Sequence, residues 1–293
     1  MSDWTAADLP SFAGRTVIVT GANSGLGLVT ARELARVGAR TVLAVRNLDK
    51  GKSAAADLTG DVEVRKLDLQ DLASIRSFAD DIRAAGDTVD VLINNAGIMA
   101  VPYAQTVDGF ESQIGTNHLG HFALTNLLLP TITDRVVTVS SMMHLFGYVS
   151  LGDLNWKARP YLAWPAYCQS KLANLLFTSE LQRRLDTAGS PVTAVAAHPG
   201  YSATNLQGQT GNQLGTRFWG ATNRFLATDA DFGARQTLYA ASQPLPGDSF
   251  IGPRFGMRGP TGQNPRSPLA HSRDTATGLW TLSEQLTGVQ FGI

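Results

Sequence analysis

The chain of 293 residues contains a single cysteine, Cys168. That excludes an intrachain disulfide framework and a cysteine cluster for zinc, and nothing points to an oxidising compartment. There is no charge excess either: 24 Lys and Arg stand against 24 Asp and Glu, and neither sign gathers into a tract. A basic footprint for nucleic acid, a patch for an acidic membrane and a charged disordered tail are all excluded on that ground. No run approaches the roughly eighteen apolar residues of a membrane span. The opening "MSDWTAADLPSF" is polar and acidic, without the charged-then-apolar pattern of a signal peptide. A cytoplasmic protein without a membrane anchor is expected, with a small molecule as its partner. No Pro/Gly/Ser-rich linker divides the first two hundred residues, so residues 1–293 are read as one domain.

What the sequence does have is alternation. β-Branched runs at 15–20, 40–46, 61–67, 89–94, 135–140 and 191–197 suit strands buried on both faces. Between them lie helical patterns at Leu26 to Val37, Leu72 to Ala84, Asn117 to Leu129 and Ala166 to Leu185, with Asp71 placed as a cap. The order predicts an α/β fold: a Rossmann-like, doubly wound parallel sheet with helices on both faces and ligands at the carboxyl ends of the strands. Two stretches, 208–215 and 252–268, are too rich in Gly and Pro for regular structure and are expected to be loops, the first a lid candidate.

"TGANSGLG" (20–27) follows the first strand and opens the first helix, where a dinucleotide pyrophosphate needs free backbone N–H groups. Gly21 suits a tight turn, Gly25 a close approach to phosphate and Gly27 close helix–strand packing, although the spacing is GxxxGxG rather than GxGxxG. An ordinary glycine turn is the plain alternative. The second strand ends Ala44-Val45-Arg46-Asn47, without the carboxylate that binds a ribose. The Arg46 guanidinium suits a 2′-phosphate instead, which favours NADP(H) while leaving NAD(H) open. Asp68 is placed to accept from an adenine amino group, a loop aspartate being the plain alternative. "NNAG" (94–97) closes the fourth strand, with Asn94 able to bond neighbouring backbone and Ala96 and Gly97 leaving room for a ribose or ring.

Tyr167 and Lys171 stand one turn apart on the same side of the helix pattern from Ala166 to Leu185. A cation about 4 Å from a phenol, at an effective dielectric near 20, is worth roughly 4 kcal/mol, enough to bring a phenol pKa from about 10 into working range. A snorkelling surface lysine is the plain alternative. Ser140 and Ser141 end the fifth strand, Ser141 being the one chosen to hold a substrate oxygen, and Asn117 is read both as an N-cap and as an amide that holds a water near Lys171.

These motifs in this order resemble the short-chain dehydrogenase/reductase family over about residues 14–205. "AYCQSKLANLLFTSELQRRL" and "HPGYSATNL" are most similar to its retinol dehydrogenase branch, whose relatives include protochlorophyllide reductases and the WW-domain oxidoreductase. The resemblance implies about seven parallel strands and a catalytic tetrad of Asn117, Ser141, Tyr167 and Lys171. It further implies cofactor contacts from Gly21, Asn23, Ser24, Gly25, Leu26, Gly27, Arg46, Asp68, Leu69, Asn95, Ala96, Gly97, Tyr167, Lys171, Pro199, Gly200 and Thr204.

The expected activity is an NADP-preferring oxidoreductase that interconverts a hydrophobic ketone or aldehyde and its alcohol, with Tyr167 as general acid/base. A non-catalytic dinucleotide sensor is the alternative from another class; a light-driven reductase and a sugar epimerase fit less well. The stretch 142–165 is a long insert expected to wall an apolar pocket with Met142, Met143, Leu145, Phe146, Trp156 and Trp164, a place in the core being the plain alternative for each. His118 and His121 form HxxH without an acidic third ligand, so no metal is expected. Cys168 reads as a buried filler. The apolar surround from Leu172 to Leu185 is compatible with a homodimer or homotetramer.

Overall fold

The computed structural model describes residues 3–200 and 230–293. Their strands are β1 (Thr16–Thr20), β2 (Arg40–Val45), β3 (Val62–Lys66), β4 (Val89–Asn94), β5 (Ile132–Val139), β6 (Thr193–Ala197), β7 (Phe250–Pro253) and β8 (Thr261–Gln263). They form one sheet in the order β3-β2-β1-β4-β5-β6-β7-β8. Seven strands run parallel, and β8 adds an antiparallel edge to β7. The parallel strands number seven, as expected, and the antiparallel β8 is an addition to them, because part of the Gly/Pro-rich stretch 252–268 is a strand rather than the loop expected there. Gly256 and Gly259 take positive φ of 76° and 107°, which lets the chain reverse and pair Ile251 with Gln263.

Helices α1 (Gly25–Arg36), α2 (Leu48–Ala56), α3 (Leu72–Ala84), α4 (Ser112–Ile114), α5 (Gly120–Leu128), α6 (Ala163–Thr187), α7 (Ala230–Ser242) and α8 (Arg273–Thr287) cover the sheet. Strand residues alternate between two cores, as period-two geometry requires. Ile18, Leu92, Val136 and Ala194 meet Phe78, Phe122, Phe177 and Trp280 of α3, α5, α6 and α8. Val17, Ile93, Val137 and Val195 meet Leu34, Ala234 and Leu238 of α1 and α7. Burial on both faces is what made these strands readable as continuous apolar runs.

Successive crossovers turn outward on either side of β1 and β4, so the strand order reverses between them and a crevice opens at their carboxyl ends. The apolar surround of α6, read as a candidate subunit face, is buried within the chain itself: Leu172, Leu175, Phe177, Leu181 and Leu185 are all covered, and α8 lays Trp280 parallel to Phe177. No helix among the described residues is long and apolar enough to cross a membrane.

Candidate active site

The first wall of the crevice is made where two glycines let the turn after β1 lie close against the end of β4. Gly21 leaves β1 with φ +67°, and a Cβ there would lie 2.9 Å from the Cβ of Ala96. A Cβ on Gly27 would lie 2.5 Å from Asn95 Nδ2 and 2.7 Å from the Gly21 carbonyl oxygen. The turn and the end of β4 thus fit only because positions 21 and 27 carry no Cβ. Ser24 stands at the N-cap of α1 with no side-chain capping bond, so the first-turn amides face the crevice without a protein oxygen from that residue. A pyrophosphate fits such a cradle on charge and on space.

Thr20 fastens this wall. Its hydroxyl oxygen lies 2.9 Å from the amides of both Asn95 and Ala96. Asn95 returns a side-chain bond to the Thr20 carbonyl at 2.8 Å. The backbone-bonding role expected of Asn94 belongs to Asn95; Asn94 instead donates to Thr125 Oγ1 at 2.9 Å, because the strand's alternation turns it into the core.

At the adenosine end, Arg46 is exposed and its guanidinium has no hydrogen bond or ion pair among the described residues. Asp68 accepts the Gln70 amide at 3.0 Å, so one of its oxygens closes a turn. Leu69 is buried, and its carbonyl presses against Gly120, where a Cβ would lie 2.5 Å away.

Asn117 is not an N-cap. The helix starts earlier, at Ser112, capped by the buried Glu111 carboxylate that accepts from Gln113 N at 2.8 Å and Ile114 N at 2.9 Å. Burial raises the pKa of that carboxyl. Asn117 lies in a π-helical turn, Gly115–Leu119, the kind of widened turn that recurs at functional sites. Its Oδ1 accepts from Ile98 N at 2.9 Å, and its Nδ2 donates to Ile98 O at 3.0 Å and to Ser170 Oγ at 2.9 Å. A Cβ on Gly97 would lie 3.1 Å from Asn117 Oδ1 and 3.6 Å from Lys171 Nζ. Strand end, amide and amine therefore converge on one point.

Lys171 and Tyr167 are both buried on α6. The Lys171 ammonium donates to Val139 O at 3.1 Å and lies 5.7 Å from the Tyr167 ring centre. Burial lowers its pKa to about 8. The expectation that the lysine acidifies the phenol does not hold here: burial pushes Tyr167 up to about 12, with only a hydrogen bond from Ser141 working the other way. A group removed from water loses more solvation as an anion than a cation anchored elsewhere returns.

The two serines separate in role. Ser140 Oγ donates to the Lys171 carbonyl at 2.7 Å, a bond that ties β5 to α6. Ser141 Oγ accepts from Met143 N at 3.2 Å and faces the Tyr167 hydroxyl. His144, one turn on, bonds the Ser141 carbonyl at 2.7 Å and accepts from Ser267 N at 3.1 Å, bracing Ser141 from behind.

The pocket wall is partly as expected. Trp164 stands edge-on to Tyr167, ring centres 6.2 Å apart, and Leu145 and Phe146 are exposed. Trp156 is buried instead, under the Arg159 guanidinium at 3.7 Å, and belongs to the packing of the insert. Gly200 has φ +69°, and a Cβ there would lie 2.6 Å from Met257 O, while one on Gly256 would meet Met142 Cε at 3.4 Å. The β7–β8 turn thus joins the wall beside Pro199 and Gly200, which no local signal announced. Gln113 was missed too: it holds Ala100 N at 2.8 Å and Tyr161 OH at 2.8 Å, joining the segment after β4 to the insert. Thr204 and the lid candidate 208–215 lie outside the described residues.

Cys168 is buried, with its thiol pushed up to about 11 by desolvation, as suits a filler. His118 and His121 diverge, the first bonding Ser283 Oγ at 2.9 Å and the second Thr20 Oγ1 at 2.9 Å. Among the described residues no group of three or more His, Cys, Asp or Glu gathers as for a metal.

Comparison with known proteins shows the family. The pattern of the short chain dehydrogenase family matches residues 15–215. Retinol dehydrogenase 13 of Homo sapiens is 43% identical over 295 residues, covering 94% of this chain and 86% of its own. Retinol dehydrogenase 12 of Mus musculus is 42% identical, over 95% of this chain and 88% of its own. A solved but uncharacterised protein from Mycobacterium paratuberculosis is 65% identical over all of both chains, with a TM-score of 0.89. An NAD(P)-dependent gluconate 5-dehydrogenase structure from Beutenbergia cavernae, holding NADP at low occupancy, is 28% identical over 79% of this chain and 91% of its own, with a TM-score of 0.60.

Proposed function

The chain belongs to the short-chain dehydrogenase family and is an NAD(P)-dependent alcohol/carbonyl oxidoreductase, and we propose that it prefers NADP(H) and acts on a lipophilic ketone or aldehyde, with Tyr167 as proton donor. The observation that carries this is the convergence of Gly97, Asn117 and Lys171 on one point at the β1/β4 crevice, with the hydroxyls of buried Tyr167 and half-buried Ser141 facing each other beside it. A non-catalytic sensor would have no use for that second pair.

The glycine turn, Asn95, Ala96 and Gly97 would hold the dinucleotide, with Arg46 at its 2′-phosphate and Pro199 and Gly200 at its nicotinamide end. When bound, it supplies or takes the hydride. Ser141 donates a hydrogen bond to the substrate oxygen and fixes it against Tyr167. A phenol whose burial keeps it protonated at neutral pH is a ready donor to a carbonyl oxygen, so the ligand-free chain is set for reduction. Lys171 spends one N–H on Val139 O and keeps the others for ribose hydroxyls. Asn117 holds the segment at Ile98 open so that a water beside Lys171 can return the proton. Exposed Phe146 and Trp164 give the outer pocket its apolar character, and the retinol dehydrogenase relatives support a lipophilic substrate.

The test is a titration with NADPH and NADH, followed by loss of nicotinamide absorbance against a series of long-chain aldehydes and aromatic ketones. NADPH oxidation that disappears in Tyr167→Phe is expected. Full activity in that variant, or a tenfold preference for NADH, would overturn the roles given to Tyr167 or to Arg46.

A further inference from the structure

His121 sits fully buried in α5 between Thr20 at the end of β1 and the carbonyl of Asn117, and its proton can be placed from its partners alone. Nδ1 lies 3.1 Å from the carbonyl oxygen of Asn117. A carbonyl only accepts, so Nδ1 carries the proton. Nε2 lies 2.9 Å from Thr20 Oγ1 and, in the neutral ring, is an acceptor. The Thr20 hydroxyl then donates to Nε2 and turns its two lone pairs to the amides of Asn95 and Ala96. Every polar atom in that chain is satisfied.

The rival arrangement puts a proton on Nε2 as well. Thr20 would then face three donors with two lone pairs and would send its own proton to Ile93 O at the longer distance of 3.3 Å. The Lys171 ammonium nearby also disfavours a second positive charge. Burial of a neutral, doubly bonded ring costs little by comparison.

We propose that His121, held as the neutral Nδ1–H imidazole, is a positioning residue that locks the π-helical turn bearing Asn117 to the Thr20 hydroxyl, and through it to the Asn95–Ala96 floor of the dinucleotide cradle. Cofactor seat and proton-relay amide are thereby one mechanical unit. This rests on the dinucleotide site proposed above, so two measurements are needed, of which one is independent of it.

The first is long-range ¹H–¹⁵N NMR of the histidine rings in the full chain, with His121 assigned through His121→Asn. A protonated Nδ1 and bare Nε2 between pH 6 and 8 are expected, and a protonated Nε2 overturns the proposal. The second is NADPH binding, followed by fluorescence, to the parent chain, Thr20→Val, His121→Phe and the double variant. Each single change is expected to weaken binding about threefold or more, and the double variant to bind no more weakly than the worse single one. Effects that multiply would show two independent residues and overturn the lock. Should the parent chain bind neither NADPH nor NADH, the cofactor reading falls, and the ring tautomer still decides the placement of His121. Should His121→Phe fail to fold, the ring tautomer of the parent chain decides it as well.

Discussion

The two sides of the crevice are built from different materials. On the β1–β4 side, Gly21 and Gly27 meet Ala96 and Asn95 at distances that leave no room for a Cβ on either glycine, and Thr20 and His121 bolt the two segments together. On the far side, Trp164, Leu145 and Phe146 stand exposed, and a Gly/Pro-rich hairpin supplies Met257. The first side is shaped closely for a fixed ligand, and the second offers apolar area with little specific bonding. The contrast is what one cofactor and a variable hydrophobic substrate require.

Tyr167 lies on the seam between the two sides, so its loss should be felt most. Tyr167→Phe is expected to lower kcat by about 10²- to 10⁴-fold while leaving the NADPH dissociation constant within about twofold. Weakened NADPH binding with intact turnover would place the phenol on the cofactor side alone. Gly27→Ala should break the closely shaped side: the added methyl meets Asn95 Nδ2 and the Gly21 carbonyl, both fixed. A loss of about 1–3 kcal/mol in denaturant unfolding and at least about tenfold weaker NADPH binding are expected, and an unchanged chain would show the wall to be yielding. Arg46→Ala sharpens the comparison at the rim. Because the guanidinium is exposed and screened, NADPH binding should weaken only about tenfold, less at high salt, with NADH unaffected.

The smallest effect is on stability against pH, and it comes from both sides at once. Burial lowers His118 to about 3 and His121 and His198 to about 4, from 6.5. Between those values the unfolded chain binds protons that the folded one refuses. Stability is therefore fully present above about pH 6.5 and is lost as pH falls toward 4. Lys171, lowered to about 8 from 10.5, acts with the same sign, so its contribution grows as pH rises through that interval. Melting temperature followed from pH 4 to 9 measures both. A flat profile below pH 6.5 would mean that these rings are open to water.

Much of this was legible in residue order. Strands buried on both faces read as apolar runs, and the alternation of periods gave the parallel sheet. Arg46 at a strand end and the one-turn spacing of Tyr167 and Lys171 needed only local geometry. Other features were not legible, for identifiable reasons. Asn117 read as a helix start because Asn is a good N-cap residue, yet the buried Glu111 caps the helix six residues earlier and a π turn carries the chain through. The stretch 252–268 read as loop because Gly and Pro oppose regular structure, yet two positive-φ glycines are what a hairpin needs. Trp156 looked like pocket wall and is core, since an aromatic in an insert gives no sign of which side it turns to. The phenol's acidity was misjudged because a charge pair can be estimated from spacing, whereas desolvation depends on everything packed around it.

By itself the sequence determined the first six strands and four of the helices, the glycine turn and the chemical inventory of the crevice, because periodicity and turn chemistry act over a few residues. Only the tertiary structure decided which amide Thr20 holds, where the His121 ring delivers its proton, how far Lys171 stands from the phenol, and that α8 covers the face of α6. Those outcomes are set by contacts between segments distant along the chain, and the free energy of burial and of satisfying buried polar atoms is a property of the packed whole.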